Sequence, residues 1–300
     1  MNILLTGSNG FLAKNIENQI SGNFDITKTS RNNSDYNCDL VNNIPQFKKK
    51  FELVIHTAGK AHCIPKNEFE KKIFFDTNLI GTSNLLNGLL ISGLPKYFVF
   101  ISSVSVYGLN EGLLVNENFP LLAQDPYGKS KIETENLIKT WCENYNVKYT
   151  ILRLPLVIGN GAPGNLKSLI KGISQGYYFN IGGGIARKSM VLANDVAKFI
   201  LPAAFKGGIY NLTDGIHPTF YELSSKIAED FGKPKLFNLP LFTGKILSKI
   251  GDLCGSNFPF NSDKLTKITS TLTFDDSNAR VAFGWEPTSV LQGFKFLEDV

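Results

Sequence analysis

Short, continuous apolar runs alternate along this chain with longer stretches whose apolar residues recur at helical spacing. Ile3-Leu4-Leu5, residues 51–55 and residues 97–101 are runs of the kind carried by parallel strands buried on both faces. After the first run, Leu12, Ile16 and Ile20 recur every fourth residue and predict a helix docked against that strand. Residues 24–31 are a second strand candidate, and a weaker third precedes Asp39-Leu40. A long helix is predicted over 73–90, with a loop at Gly93-Leu94-Pro95 and another helix over 127–145 opened by Pro126. Residues 208–212 read as a seventh strand returning to the sheet. Residues 220–232 read as an amphipathic helix with Phe220, Leu223, Ile227 and Phe231 on one face. Residues 237–250 are apolar enough to pack inside a second lobe.

The turn after the first strand, Thr6-Gly7-Ser8-Asn9-Gly10-Phe11-Leu12-Ala13, gives this alternation a chemical meaning. Gly7 lets the chain reverse, Gly10 lets backbone approach a pyrophosphate at the positive end of the following helix, and Ala13 lets helix and strand pack closely. A P-loop is excluded, because Leu12-Ala13-Lys14 stands where that motif needs Gly-Lys-Ser/Thr. The fold class expected is α/β, a Rossmann-type doubly wound parallel sheet with a smaller mixed C-terminal lobe. Residues 1–160, with roughly 188–213 returning to the sheet, are assigned to the nucleotide-binding domain; residues 161–187 and 214–300 form the second lobe.

Composition narrows the picture. A 300-residue chain that is 43% hydrophobic supplies an ample core. No apolar run reaches the ~18 residues of a membrane span, so a cytoplasmic protein with no membrane partner is expected. Cys38, Cys63, Cys142 and Cys254 lack metal-ligand spacing, which suits free thiols and no metal. The net charge of +5 includes one basic run, Lys48-Lys49-Lys50, which reads as a solvated helix end and gives no support to a nucleic-acid partner. It does favour a phosphorylated small molecule.

Candidate chemistry gathers at the ends of the strands. The second strand ends in Ser30-Arg31 with no acid at its tip, since Asp25 lies at its start and Asp35 beyond it. An acid there closes on a ribose 2′-hydroxyl, whereas an arginine accommodates a 2′-phosphate, so NADP(H) is favoured over NAD(H). His56, His62 and Cys63 show no nucleophilic or metal partners and read as packing or hydrogen-bonding residues. The most hydrophobic strand runs into Ser102-Ser103-Val104-Ser105-Val106-Tyr107-Gly108, placing hydroxyls where open α/β sheets do chemistry. Tyr127 and Lys131 are four apart and share a helix face. An ammonium there favours the phenolate of a tyrosine that otherwise titrates near pH ~10.

In this order the features resemble the extended short-chain dehydrogenase/reductases, the branch of nucleotide-sugar epimerases, dehydratases and reductases. The resemblance rests on Thr6-Gly7-x-x-Gly10-x-x-Ala13, His56-x-Ala58-Gly59, Ser102-Ser103 ahead of Val106-Tyr107-Gly108, and Tyr127-x-x-x-Lys131. It continues through Leu152 to Gly159, Gly164-Asn165-Leu166, Lys188-Ser189-Met190-Val191 and Gly284-Trp285-x-Pro287, and so covers the whole chain. It implies bound NAD(P), Tyr127 as acid/base on the sugar hydroxyl, Lys131 lowering the pKa of that tyrosine and holding the nicotinamide ribose, and Ser103 bonding the reacting oxygen. Cofactor contacts are implied along Gly7, Asn9, Gly10, Phe11 and Leu12, at Ser30, Arg31, Asp39 and Leu40, at Ala58, Gly59, Lys60 and Asn78, and at Pro155 and Val157. Ser103, Ser105 and Asn165 are implied on the substrate side. Arg187 or Lys188 clamps the diphosphate, with Lys267 or Lys264 as a second clamp.

Where 4,6-dehydratases of this family carry an Asp-Glu acid/base pair, this chain has Val104-Ser105, which disfavours dehydration. The resemblance is strongest to enzymes of bacterial surface-polysaccharide biosynthesis. The first reading is an NAD(P)H-dependent 4-ketoreductase acting on a UDP-linked 4-keto-6-deoxy-N-acetylhexosamine. The alternative is a UDP-hexose 4-epimerase cycling bound NAD, and a third reading is a non-catalytic cofactor sensor. The substrate partner implied is a UDP-linked nucleotide sugar. The helices over 73–90 and 127–145 are of the kind that form a homodimer's four-helix interface in this family, with monomer and dimer both open.

Overall fold

In a computed structural model of the chain, the residues described are 1–61, 65, 67–254 and 260–299, without the side chains of Asn165, Cys254, Glu298 and Asp299. His62 and Cys63 lie outside the described residues. The first half runs β1 (Asn2–Thr6), α1 (Phe11–Ile20), β2 (Asp25–Ser30), β3 (Tyr36–Asn37), β4 (Leu53–His56), α2 (Glu68–Phe75), a π turn (Asp76–Ile80), α3 (Gly81–Ser92), β5 (Tyr97–Ser103), β6 (Gly112–Val115) and α4 (Pro126–Asn144). Then follow β7 (Lys148–Leu154), β8 (Leu156–Ile158), α5 (Asn165–Ser174), β9 (Asn180–Ile181), β10 (Met190–Leu192), α6 (Ala193–Lys206) and β11 (Gly208–Asn211). The chain ends with α7 (Phe220–Asp230), β12 (Asn238–Leu239), α8 (Leu241–Cys254), α9 (Ser262–Thr269), β13 (Leu272–Phe274), α10 (Ser277–Phe283) and α11 (Val290–Gly293).

Seven strands form one parallel sheet in the order β11-β7-β5-β4-β1-β2-β3. Strand order reverses between β1 and β4, the place where a doubly wound sheet opens a crevice at its carboxyl edge. Alternation within the apolar runs divides the core. Ile3, Leu5, Leu53 and Ile55 face α1 and α6, while Leu4, Val54, Phe98 and Phe100 face α3 and α4. A third core cluster has Ile158, Leu166, Ile170, Met190, Leu223 and Ile227 meeting across α5, β8, β10 and α7, so residues assigned to either side of the expected boundary pack together.

Three expectations are corrected. Residues 48–49 are a bend and residue 50 is irregular, not a helix end, with Lys49 drawn 2.8 Å from Asp25. The helix expected over 73–90 starts at Glu68 and contains the π turn, because Asn67 caps it by accepting the Glu70 N–H at 2.8 Å. Within the 237–250 stretch, Phe242, Ile246 and Ile250 stand in solvent instead of packing into the lobe.

Candidate active site at the carboxyl edge of the sheet

β1 ends at Thr6 and the chain turns at Gly7, whose φ is +66° and where a Cβ would lie 2.7 Å from the Ala58 backbone. Only glycine lets this turn lie against the end of β4. Gly10 begins α1 with no side-chain cap and no acid in the first turn, leaving N–H groups at the positive end of the helix. Ser8 Oγ is buried in the same turn and has no hydrogen-bond partner among the described residues. An unanswered hydroxyl beside uncapped N–H groups is the chemistry that a pyrophosphate satisfies, so these residues fit the dinucleotide. Phe11 lies against Gly159, where an added Cβ would come within 3.0 Å of its ring, and Leu12 packs on the core behind.

At the tip of β2, Asn9 Nδ2 donates to Ser30 Oγ at 2.9 Å and to the Asn32 carbonyl at 2.6 Å. Arg31 is exposed beside them. Asp35 is occupied in accepting the Lys28 N–H at 2.8 Å, so neither it nor Asp25 reaches the tip. Asp39 closes its own turn, accepting from Val41 N at 3.2 Å and Asn42 Nδ2 at 2.7 Å, and the half-buried Leu40 joins the second core cluster.

Beyond β4, Ala58 N donates to Thr6 Oγ1 at 3.3 Å. The π turn delivers Asn78 inward: its Oδ1 accepts the Lys60 N–H at 2.7 Å, and its Nδ2 donates to the Lys60 carbonyl at 3.2 Å and to Ser130 Oγ at 2.8 Å. One side chain thus ties the loop of Gly59 and Lys60 to α4. His56 is 1% exposed, bonded to Thr6 Oγ1 at 2.7 Å and Thr82 Oγ1 at 2.8 Å, and stacked on Phe100. Burial, reinforced by the Lys131 charge, pushes it down to about 3, so it is a neutral packing histidine at pH 7.

β5 carries Ser102 and Ser103 within the strand, and Asp125 caps α4 by accepting the Gly128 N–H at 3.0 Å. These two elements bring Ser103 and Tyr127 together: Ser103 and Ser105 both lie near enough to the phenol to pull its pKa down, and Ser105 Oγ donates to Ser103 Oγ at 2.9 Å. Burial nevertheless raises the Tyr127 pKa, and the two serines only partly oppose it. The ammonium itself is anchored to the sheet: Lys131 Nζ donates to the Ile101 carbonyl at 2.9 Å and lies 4.5 Å from the centre of the Phe100 ring. Lys131 is 6% exposed, and burial brings its own pKa down to about 8 against the opposing charge of Glu135.

One turn further along α4 lies Glu135, which none of the sequence motifs includes. Glu135 accepts from Ser102 Oγ at 2.6 Å, from Arg153 Nε at 3.1 Å and from a terminal nitrogen of the same guanidinium at 2.7 Å. Arg153 also donates to the Tyr107 hydroxyl at 3.2 Å, and that hydroxyl donates to Asn211 Oδ1 at 2.8 Å. The signal was present as a carboxylate four residues after Lys131, on the helix face expected to be buried.

Pro155 joins β7 to β8, and Val157 packs from β8 onto the first core cluster. In the second lobe Asn165 is the first residue of α5. Arg187 donates to the His217 carbonyl at 3.0 Å and lies 3.8 Å from Glu222. Lys188 is half-buried, and burial followed by the charge of Lys267 pushes it down to about 8. Lys267 itself pairs with Asp263 at 2.7 Å.

Residues 3–213 match the model of the NAD dependent epimerase/dehydratase family. The chain belongs to that family and is an NAD(P)-dependent nucleotide-sugar enzyme, with the epimerase fold. It is 29% identical to a UDP-glucose 4-epimerase of Vibrio cholerae, over 98% of this chain and 93% of that protein. It is 24% identical to the N-acetyl-alpha-D-glucosaminyl-diphospho-ditrans,octacis-undecaprenol 4-epimerase of Escherichia coli O157:H7, over 97% and 92%. Among solved structures, the UDP-glucose 4-epimerase of Thermotoga maritima with UDP-glucose superposes with a TM-score of 0.75 at 22% identity, covering 99% of this chain and 97% of that one.

Proposed function

We propose that the chain is a UDP-sugar 4-epimerase working at the carboxyl edge of β5. The observation that carries this reading is the convergence of Ser103 and Ser105 on the Tyr127 hydroxyl at that edge, with the buried Lys131 ammonium one helical turn behind. In this reading Tyr127 takes the proton from the sugar O4 and returns it, while Ser103 holds the same oxygen. Taking that proton needs the phenolate, so the positive charge that oxidised nicotinamide would bring beside the ring has to offset the burial that raises the Tyr127 pKa. The Gly7 to Leu12 turn and the loop of Ala58, Gly59 and Lys60 would hold NAD(P), which would supply hydride exchange at C4. Lys131 carries the ribose contact, and Asn78 fixes the loop that faces it.

Lys188, rather than Arg187, takes the diphosphate, because Arg187 is committed to Glu222 and His217. Two lysine charges felt across a half-buried site are costly until an anion arrives. Asn165, at the start of α5, assists from the helix N-terminus. The substrates named for the two relatives both contain a diphosphate, which fits this arrangement.

One observation favours a second reading, a 4-ketoreductase. Among the described residues no carboxylate stands at the tip of β2, where Ser30 and Arg31 would accommodate a 2′-phosphate and hence NADPH, a consumable reductant. The two reactions separate on one assay. An epimerase converts UDP-N-acetylglucosamine or UDP-glucose without added cofactor and leaves absorbance at the reduced nicotinamide band unchanged. A reductase consumes one NADPH per UDP-4-keto-6-deoxy-N-acetylglucosamine. Tyr127→Phe is expected to lower turnover by about 10²–10⁴ with the melting temperature retained; unchanged turnover refutes the assigned chemistry.

A further inference from the structure

α8 is built inside out. Gly244, Ser248 and Gly251 form its buried face, against α9 and β9. A Cβ at Gly244 would lie 2.6 Å from Ile181, so the small residues permit the close approach and lock the helix in this rotation. The opposite face carries Phe242 at 64% exposure, Ile246 at 55%, Ile250 at 44% and Leu253 at 89%. Spacings of four, four and three residues align these four side chains as one stripe along the helix. Phe237, 83% exposed, stands just ahead of the helix. Lys245 and Lys249 border the stripe on one side. Asp252 is turned to α9, where it accepts the Ser262 N–H at 3.1 Å.

Single exposed apolar residues are ordinary, but an aligned stripe with a cationic border marks a surface that something covers. Charge selects the occupant. The charged residues of α8 are Lys245 and Lys249, both exposed beside the stripe, and Asp252, which is held by Ser262, so the stripe's own border is cationic. A second copy docked symmetrically would set this surface against itself and oppose like charges. Anionic lipid headgroups complement it, with lysine stems lying along the apolar boundary and their ammonium groups at the phosphates.

We propose that α8 rests on an anionic membrane surface, the apolar stripe entering the headgroup boundary and Lys245 and Lys249 meeting phosphate. The contact is peripheral, since no helix among the described residues is long and apolar enough to cross a membrane. It departs from the expectation of no membrane partner, and it does not depend on which sugar reaction the site performs.

The test is flotation of the full chain with vesicles of phosphatidylglycerol or of phosphatidylcholine. The chain floats with phosphatidylglycerol at low salt, and Lys245→Glu with Lys249→Glu lowers the bound fraction at least about tenfold. Phe242→Asp with Ile246→Asp lowers it by a similar factor or more, while thermal melting stays that of the parent because both side chains already face solvent. Failure of the parent chain to float with phosphatidylglycerol overturns the proposal, as does undiminished binding by the Phe242/Ile246 variant. A dimer in sedimentation that these substitutions split into monomers also overturns it, by showing that a second copy covers the stripe.

Discussion

Two buried cations, Lys131 and Arg153, flank the end of β5 and are treated in opposite ways. Arg153 is 2% exposed and grips both oxygens of Glu135, so its charge is matched and its pKa is raised. Lys131 is 6% exposed and has a carbonyl oxygen and a ring face, with Glu135 acting only at a distance, and its pKa falls to about 8. A buried charge without a matching partner is unfavourable to folding. The difference teaches where the molecule carries strain for chemistry and where it carries charge for architecture. The matched pair joins α4, β5 and β7; the unmatched ammonium sits where a ribose and a phenol are expected.

Breaking the matched side is expected to have the largest effect. Arg153→Met leaves Glu135 charged and buried and is expected to lower unfolding free energy by about 3–5 kcal/mol, measured by urea denaturation. Adding Glu135→Leu is expected to recover most of that loss. Failure to recover shows that Ser102 and Tyr107, rather than charge matching, carry the contribution.

Relieving the unmatched side runs the other way. Lys131→Met is expected to stabilise the chain by about 1–3 kcal/mol at pH 7 while abolishing most turnover. The pH dependence has a definite sign. Below about pH 8 the ammonium is protonated in both folded and unfolded chains, and its burial cost is fully present. Between about 8 and the ordinary 10.5, the folded chain releases the proton that the unfolded chain keeps, so stability rises with pH. The advantage of Lys131→Met is therefore largest near neutrality and shrinks as pH approaches 10.5. Parallel denaturation midpoints for the two proteins from pH 7 to pH ~10.5 contradict a buried, charged lysine.

Lys188 sharpens the same comparison at smaller scale, because it is half-buried and better screened. Lys188→Met is expected to change stability by less than about 1 kcal/mol and to weaken UDP binding roughly tenfold, read by calorimetry. Arg187→Met is expected to leave UDP affinity near that of the parent. If the two variants exchange these outcomes, the diphosphate is held by Arg187.

Much of this arrangement was legible beforehand, for reasons visible in particular residues. Ile3-Leu4-Leu5 and the run ending at His56 must be buried strands, and the turn at Gly7 tolerates no Cβ, so the cofactor edge follows from local rules. Tyr127 and Lys131 share a helix face by periodicity alone. The direction of the Tyr127 shift was not legible, since it depends on how many atoms exclude water from the phenol. Nor was the split between Arg187 and Lys188: Glu222 reaches Arg187 from a helix more than thirty residues along the chain.

The amino-acid order by itself determined which segments are strands and helices, where backbone must lie bare for a phosphate, and which hydroxyl, phenol and amine types share one edge. Those properties depend on period, side-chain volume and spacing, all local quantities. Tertiary structure alone decided which buried cation is matched and which is not, that the π turn swings Asn78 onto Lys60 and Ser130, and that α8 turns its glycines inward and its Phe242 stripe outward. Desolvation and charge pairing depend on atoms contributed by segments distant in sequence, and they exist only once those segments have packed together.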